Sequence, residues 1–342
     1  MILLNGGQEA DTPAQPASRG RRRILKALAG VAAGAGVSTA AAQETFPSKP
    51  VQVIVAYPPS GGTDTLARLI TAELAKMLGQ PFLVVNRPGA AGAIGTSMAA
   101  RAAPDGYTLL LDTGNSTLRP VVDKRTTFKA DDFAPVALLT ESPIALVITK
   151  ELPVSSVAEL IAYSKAHPGK ISYASTGPGS PQNLAGELLK VRADLDWVQV
   201  SYQGGGPALI DLIAGRVQVM FSNPVPLMPY FVDRRLNALA ITASERLPAL
   251  EHIPTMAEQG QANFLIGFWN GMLAPAGTPS AVVEKMSEAL LAVMDLPHVV
   301  EALARQGSVR RPLGTAEFVA YMARDSERWK QIAEEIRYRP PT

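Results

Sequence analysis

The feature that most constrains this chain is an alternation between two kinds of apolar segment. VQVIVA (51–56), FLVVN (82–86) and YTLLLD (107–112) are short, continuous apolar runs of strand length. After the first, Leu66, Leu69, Ile70, Leu74, Met77 and Leu78 recur at helical spacing until Gly79 closes the segment. A small-residue segment from Ile94 to Ala103 reads as a second helix before the third strand. Strand–helix–strand repetition supplies the crossovers that parallel pairing needs. It predicts α/β architecture with parallel sheets covered on both faces.

The pattern restarts after PIALVITK (143–150). A helix over 156–167 is entered from Ser155 and Ser156 and stopped by Pro168-Gly169. Strands over 171–175, 197–202, 217–222 and 236–242 follow, with helices over 183–190 and 207–214 among them. Two strongly periodic helical stretches, 280–293 and 315–336, complete the chain. Two α/β units and terminal helices imply two lobes. One comprises residues 43–145 plus 268–342, the other residues 146–267. ALVITK and FLIGFWNGML are read as the crossings, and a pair of crossings makes a hinge.

Composition matters for what it removes. Five of the 32 basic residues but only two of the 30 acidic ones fall within residues 1–42. The remainder is therefore within one charge of neutral, with no electrostatic footprint for nucleic acid or an acidic membrane. The chain has no Cys. That removes thiol nucleophiles, Cys-bound zinc, iron–sulfur clusters, disulfides and a lipid anchor on Cys. Three scattered histidines, His167, His252 and His298, argue against a His metal site or a catalytic triad. No cofactor and no metal are expected.

The basic start reads as an address. RRRILK (21–26) precedes ALAGVAAGAGVSTAAA, a run too short and Gly-rich to span a membrane. Ala40 and Ala42 are placed for A-x-A cleavage before Gln43. The paired arginines resemble a twin-arginine signal. Gly20 stands where that consensus carries Ser or Thr, which leaves the general secretory route open. Residues 1–42 are expected to be removed, leaving a soluble exported protein.

Where strands end, one kind of turn recurs. In SGGTD (60–64), Gly61 and Gly62 permit a sharp turn with no Cβ in a ligand's way. A helix starting near Thr63 or Asp64 would expose its unpaired N–H groups there. Asp64 reads as the N-cap, with a loop brace or a ligand contact as alternatives. Thr113, Gly114, Asn115, Ser116 and Thr117 follow the third strand. Ser175-Thr176-Gly177-Pro178-Gly179-Ser180 precedes a helix carrying Leu184, Leu188 and Leu189. Gly204, Gly205 and Gly206 precede Pro207 at a helix start, and Ser222-Asn223-Pro224 ends VQVMF. All five clusters lie at carboxyl ends of strands, where open α/β sheets bind ligands. Each alone is an ordinary turn. Together these neutral hydrogen-bonding groups favour a small anion held by N–H dipoles and hydroxyls.

Across these residues the sequence resembles the periplasmic substrate-binding receptors of tripartite tricarboxylate transporters, the Bug receptors. The matching runs include FPSKPVQVIVAYPPSGGTDTLAR, NRPGAAGAIGT, HPGKISYASTGPGS and YQGGGPALIDLIAGRVQVMF, and continue to APAGTP. They cover essentially everything after residue 42. The resemblance implies a type II periplasmic-binding-protein fold, with two doubly wound α/β lobes joined by a hinge of crossing strands. It implies a carboxylate bound in the cleft, partly through ordered water and backbone N–H groups, and no catalysis. It implies contacts from Tyr57, Ser60, Gly61, Gly62 and Asp64, and from Ser175, Thr176, Gly177 and Ser180. Tyr202 and Asn223 match further cleft positions. Thr113, Asn115 and Ser116 are added from the third turn, and Asn183 stands where His is frequent. Other departures are Ser60 for Gly, Arg119 for Asn and Ser222 for Asp; they bear on which acid is bound. Arg119 is either an anchor for a distal carboxylate or a solvated surface residue.

Two other functions share parts of this pattern. A sensor signalling through a partner would use the same site residues. An exported hydrolase needs a nucleophile with a base, and no G-x-S-x-G elbow follows residue 42; GPGSP (177–181) carries prolines instead. The receptor is expected to act as a monomer and to pass its ligand to a membrane permease.

Overall fold

The computed structural model describes residues 46–340 apart from 225, 226 and 307. The expected export signal lies outside the described residues.

β1 (Val51–Val55) pairs in parallel with β2 (Phe82–Asn86) on one side and β3 (Thr108–Asp112) on the other. The crossovers are α1 (Gly62–Leu78) and α2 (Ala93–Ala100). Val51, Val53 and Val55 pack with Leu66, Ile70 and Leu74 of α1, whereas Ile54 joins Leu110 on the opposite face. These four apolar side chains of β1 are fully buried, each stabilising the fold by roughly 1.5–3 kcal/mol. Burial on both faces is why this run is apolar at every position but the exposed Gln52, rather than alternating.

The rest of this sheet departs from the parallel expectation. β4 (Phe133–Pro143) and β10 (Gly267–Pro275) pair antiparallel along their length, with two register shifts. β10 also runs antiparallel to β3, and β11 (Val309–Leu313) antiparallel to β4, giving the order β11-β4-β10-β3-β1-β2. FLIGFWNGML, read as one crossing, contains most of β10 and so belongs to the first sheet. ALVITK instead forms β5 (Ala145–Thr149), an inner strand of the second sheet. The strand that leads into it is β4. Its sequence, FAPVALLTESP, reads as irregular because Pro135 and Pro143 interrupt the apolar run.

The second sheet has the order β7-β6-β8-β5-β9. β6 (Ser172–Ser175) is parallel to β7 (Val198–Ser201) and β8 (Val219–Ser222). β5 is antiparallel to β8 and to β9 (Leu236–Ile241). One face packs on α4 (Val157–Ala166) and α5 (Pro181–Ala193) through Val157, Leu160, Leu184 and Leu188. The other packs on α6 (Gly205–Ile213) through Ala208 and Leu212.

Helices join the two halves. α3 (Asn115–Val122) sends Leu118 and Val122 into the core of the second sheet. Among the later helices, α7 (Met228–Val232), α8 (Ser280–Met294), α9 (Pro297–Gln306) and α10 (Thr315–Glu335), α8 covers the first sheet through Val283, Met286 and Leu290. α10 divides its contacts. Phe318 and Met322 pack with Trp269 of the first sheet, while Trp329 and Ile332 belong to the core of the second. Among the described residues no helix is long and apolar enough to cross a membrane.

Candidate functional site

The turn after β3 is organised by a buried carboxylate. Asp112 is 2% exposed and accepts from the amides of Asn115 (3.2 Å) and Ser116 (3.0 Å) and from Ser116 Oγ (2.7 Å). These bonds cap α3, so amides that the sequence reading left for a ligand are spent within the turn. Burial pushes the Asp112 carboxyl up, and the bonds from Ser116 oppose that rise. Ser116 is fully buried and holds the turn. The side chain of Asn115 takes another direction: its Nδ2 donates to Tyr57 Oη at 3.0 Å, and that hydroxyl also bonds Thr113 Oγ1 at 3.0 Å. Burial raises the Tyr57 pKa, so the group stays neutral. Gly92 lies so near this pair that a Cβ there would collide with Asn115 Nδ2.

The turn after β6 is held by its own side chains. Ser180 is the N-cap of α5; its Oγ accepts from Asn183 N (3.2 Å) and donates to Gly177 O (2.8 Å). Asn183 Oδ1 accepts from Gly179 N at 3.0 Å, and its Nδ2 donates to Tyr173 Oη at 3.0 Å. Ser175 Oγ accepts from Gly177 N (3.1 Å) and Gln199 Nε2 (2.8 Å). Ser175 and Asn183 are each 3% exposed and act as scaffold. Pro178 and Pro181 have no N–H. By subtraction, Thr176 and Gln182 are the residues of this turn whose amides are not spent on its shape. Their side chains meet at 3.3 Å, Thr176 Oγ1 to Gln182 Oε1.

These two turns line one cavity of about 220 Å³. Tyr57, Thr113 and Asn115 come from the first-sheet side, and Thr176, Ser180 and Gln182 from the second. Gly177 lies between lining residues Thr176 and Pro178. Apolar wall is supplied by Leu118, Phe268, Trp269 and Trp329, and Arg119 completes one side. The two indoles are fixed by Asp325, 1% exposed, whose Oδ2 accepts from Trp269 Nε1 (2.8 Å), Trp329 Nε1 (3.2 Å) and Thr117 Oγ1 (2.6 Å). Arg328 pairs with its other oxygen. One buried acid thus ties α3, β10 and α10 together behind the cavity. A second cavity of about 120 Å³, with Glu141, Arg311 and Arg328 in its wall, shares Gly267, Phe268 and Trp269 with the first.

Other expected site residues lie elsewhere. Ser60, Gly61 and Gly62 are exposed and are not among the residues lining the cavity. Helix α1 begins at Gly62 with Gly61 as N-cap, which corrects the placement of the cap at Asp64. Asp64 is the third helical residue, within the first turn, and is 2% exposed. It accepts from Ser60 N (2.9 Å), from Arg68 Nε and Nη2 (2.9 and 3.0 Å) and from Asn86 Nδ2 (2.9 Å). The Arg68 guanidinium, with the Ser60 amide and Asn86, holds this carboxyl down to about 2. Asp64 is therefore a brace for the turn. Tyr202 Oη donates to Asp211 Oδ2 at 2.9 Å, and burial and that carboxylate push its pKa up to about 12. Tyr202 and Asn223 do not line the cavity either.

The aromatic wall escaped the sequence reading. Trp269 sits in a strand whose alternation is hidden by small residues, and Trp329 lies in the strongly periodic helix over 315–336, where nothing local marks it as cavity wall. The spacing Asp325–Trp329 is the trace that was there to find: i and i+4 share a helix face, so the acid had to face the same way as the tryptophan.

Residues 66–338 match the model of the tripartite tricarboxylate transporter family receptor. The chain belongs to that family. BugT of Bordetella pertussis is 33% identical to this receptor over 319 residues, 92% of this chain and 97% of its own length. A Rhodopseudomonas palustris structure, MatC with bound malate, is 34% identical with TM-score 0.70, over 84% of this chain and 99% of that one. Another R. palustris structure, solved with adipate, is 31% identical with TM-score 0.75, over 86% and 100%. The receptor shares their two-lobe binding-protein fold, and its relatives are solute-binding proteins rather than enzymes. Among the described residues no group of three His, Asp or Glu side chains is placed to hold a metal.

Proposed function

We propose that this receptor captures a small carboxylate in the 220 Å³ cavity, in the periplasm, and delivers it to a tripartite-type membrane permease. The observation that carries the reading is that a single cavity receives polar groups from both sheets: Tyr57, Thr113 and Asn115 on one side, Thr176, Ser180 and Gln182 on the other. An acid bridging them contacts both lobes, so binding favours the closed arrangement. The malate and adipate bound by its relatives support carboxylate as the chemistry. The lobes are assigned to residues 43–145 plus 268–342 and to residues 146–267. Residues 1–42 are assigned to export. Gly177 is assigned to the binding turn, and Ser175, Ser116 and Asn183 to positioning it. Ser60, Gly61 and Gly62 begin three residues after Tyr57 and are assigned to the mouth of the site, where they approach the ligand on closure; Asp64 braces them. Tyr202 and Asn223 are assigned to the far rim.

The test is a thermal-shift panel of dicarboxylates, tricarboxylates, amino acids and aromatic acids on the chain lacking residues 1–42. A true ligand at about 100 times Kd adds roughly 2.7 kcal/mol to stability and raises Tm. The acid must be recovered unchanged. Consumption of the acid, or a flat Tm across every carboxylate, defeats the reading.

A further inference from the structure

Among the described residues Arg119 is the one charged side chain in the cavity wall, and its surroundings are unusual. It lies on α3 one turn beyond Asn115 and beside Leu118, both of which also line the cavity. Its side chain is only 15% exposed, which excludes the solvated alternative. Nη2 donates to Asp123 Oδ2 at 2.6 Å. Nε is buried and has no acceptor among the described residues. A buried donor left unmet is costly, and more so when the group is charged.

The charge on this guanidinium is also not cancelled by its partner. Asp123 is shared with Arg125, which takes Oδ1 with Nε at 3.0 Å and with its backbone amide at 3.0 Å. Arg125 is 70% exposed on its side chain, so its own charge is met by water. One carboxylate between two guanidinium groups leaves a net positive charge, and Arg119 is the member that faces the cavity. Tyr338 Oη adds a second buried polar atom with no partner among the described residues. It lies behind the same wall, 2.8 Å from where a Cβ on Gly179 would stand.

We propose that Arg119 is a specificity-determining residue: its guanidinium takes a second carboxylate of the ligand, so the receptor selects diacids over monoacids of the same length. This rests on the reading of the cavity as a carboxylate site. Neutral groups of the two turns hold one acid group. The second charge, which apolar Trp269, Phe268 and Trp329 would otherwise repel, is matched by Arg119.

The experiment measures Kd by calorimetry for matched pairs: adipate against hexanoate, succinate against butyrate, terephthalate against benzoate. Wild type is expected to prefer the diacid of at least one pair by roughly 10–100-fold, the range of a charge-assisted hydrogen bond. Arg119→Gln removes that preference and changes the monoacid by less than about threefold. Arg119→Lys keeps the charge and part of the preference, and serves if the Gln variant fails to fold. Arg125→Gln leaves Asp123 to Arg119 alone, so it is expected to lower the ratio by less than Arg119→Gln does. A purely structural Arg119 would lower both members of a pair alike. A ratio near one in wild type, or one unaltered by Arg119→Gln, overturns this assignment while the carboxylate reading stands. Failure of every acid in the panel to bind overturns both.

Discussion

The turns after β1 and after β6 share one sequence grammar, small residues and hydroxyls between a buried strand and a helix, and the folded chain uses them differently. After β1, the third helical residue folds back: Asp64 gathers Ser60 N, Arg68 and Asn86 Nδ2, while Ser60, Gly61 and Gly62 stay exposed away from the cavity wall. After β6, the cap residue Ser180 and Asn183 close the turn from within, and Thr176 and Gln182 are left on the cavity. What separates them is the neighbour behind each turn. Asn86, at the end of the adjacent parallel strand, draws Asp64 inward. Val122 of α3 and Tyr338 after α10 press on Gly179 and hold the second turn where both sheets meet.

The largest way to break this contrast is at Gly179. Its φ of +75° is left-handed, and an added Cβ would lie 2.8 Å from Tyr338 Oη and 3.1 Å from Val122 Cβ. Gly179→Val combines a backbone penalty with overpacking, and chemical denaturation should show a loss of about 3 kcal/mol. Ligand affinity should fall with it, because the turn must move.

Asp64→Ala should separate stability from binding. Removing the brace leaves Ser60 N and Asn86 Nδ2 without that acceptor, at a cost of about 2 kcal/mol at neutral pH. Affinity measured by calorimetry should stay within about twofold. A pH series sharpens the point. The folded-state value near 2 lies below the ordinary value near 4, so this group's stabilisation is present above about pH 4 and is lost as pH falls toward 2. Between those limits wild type should lose stability more steeply than Asp64→Ala.

The smallest effect belongs to Gly61. Its φ is −78°, and the nearest atom to an added Cβ is Pro58 O at 3.6 Å. Gly61→Ala should change stability by less than about 0.5 kcal/mol and leave affinity untouched. Gly61→Trp asks whether the exposed turn meets the ligand on closure: weaker binding at unchanged Tm is the expected result, and normal binding removes this turn from the site.

Much of the fold was legible because parallel strands buried on both faces are apolar at nearly every position. VQVIVA and YTLLLD announce themselves for that reason. The long strand β4 did not, since it is antiparallel, bulged and interrupted by Pro135 and Pro143, so no periodicity survives in the text of the sequence. At the site, Thr113, Asn115, Thr176 and Ser180 were readable from turn chemistry. Trp269, Trp329 and Asp325 were not, because they converge from β10 and α10 and carry no local mark of doing so.

The order of residues alone therefore determined the two α/β units, the neutral hydrogen-bonding turns at their strand ends and the family to which the chain belongs, since each is written in spacing a few residues long. Which of those turns faces the cavity, where Arg119 points and what Asp325 holds were decided only when distant segments packed together. Local propensity shapes a turn, but the direction of a side chain is settled by whatever occupies the space beside it.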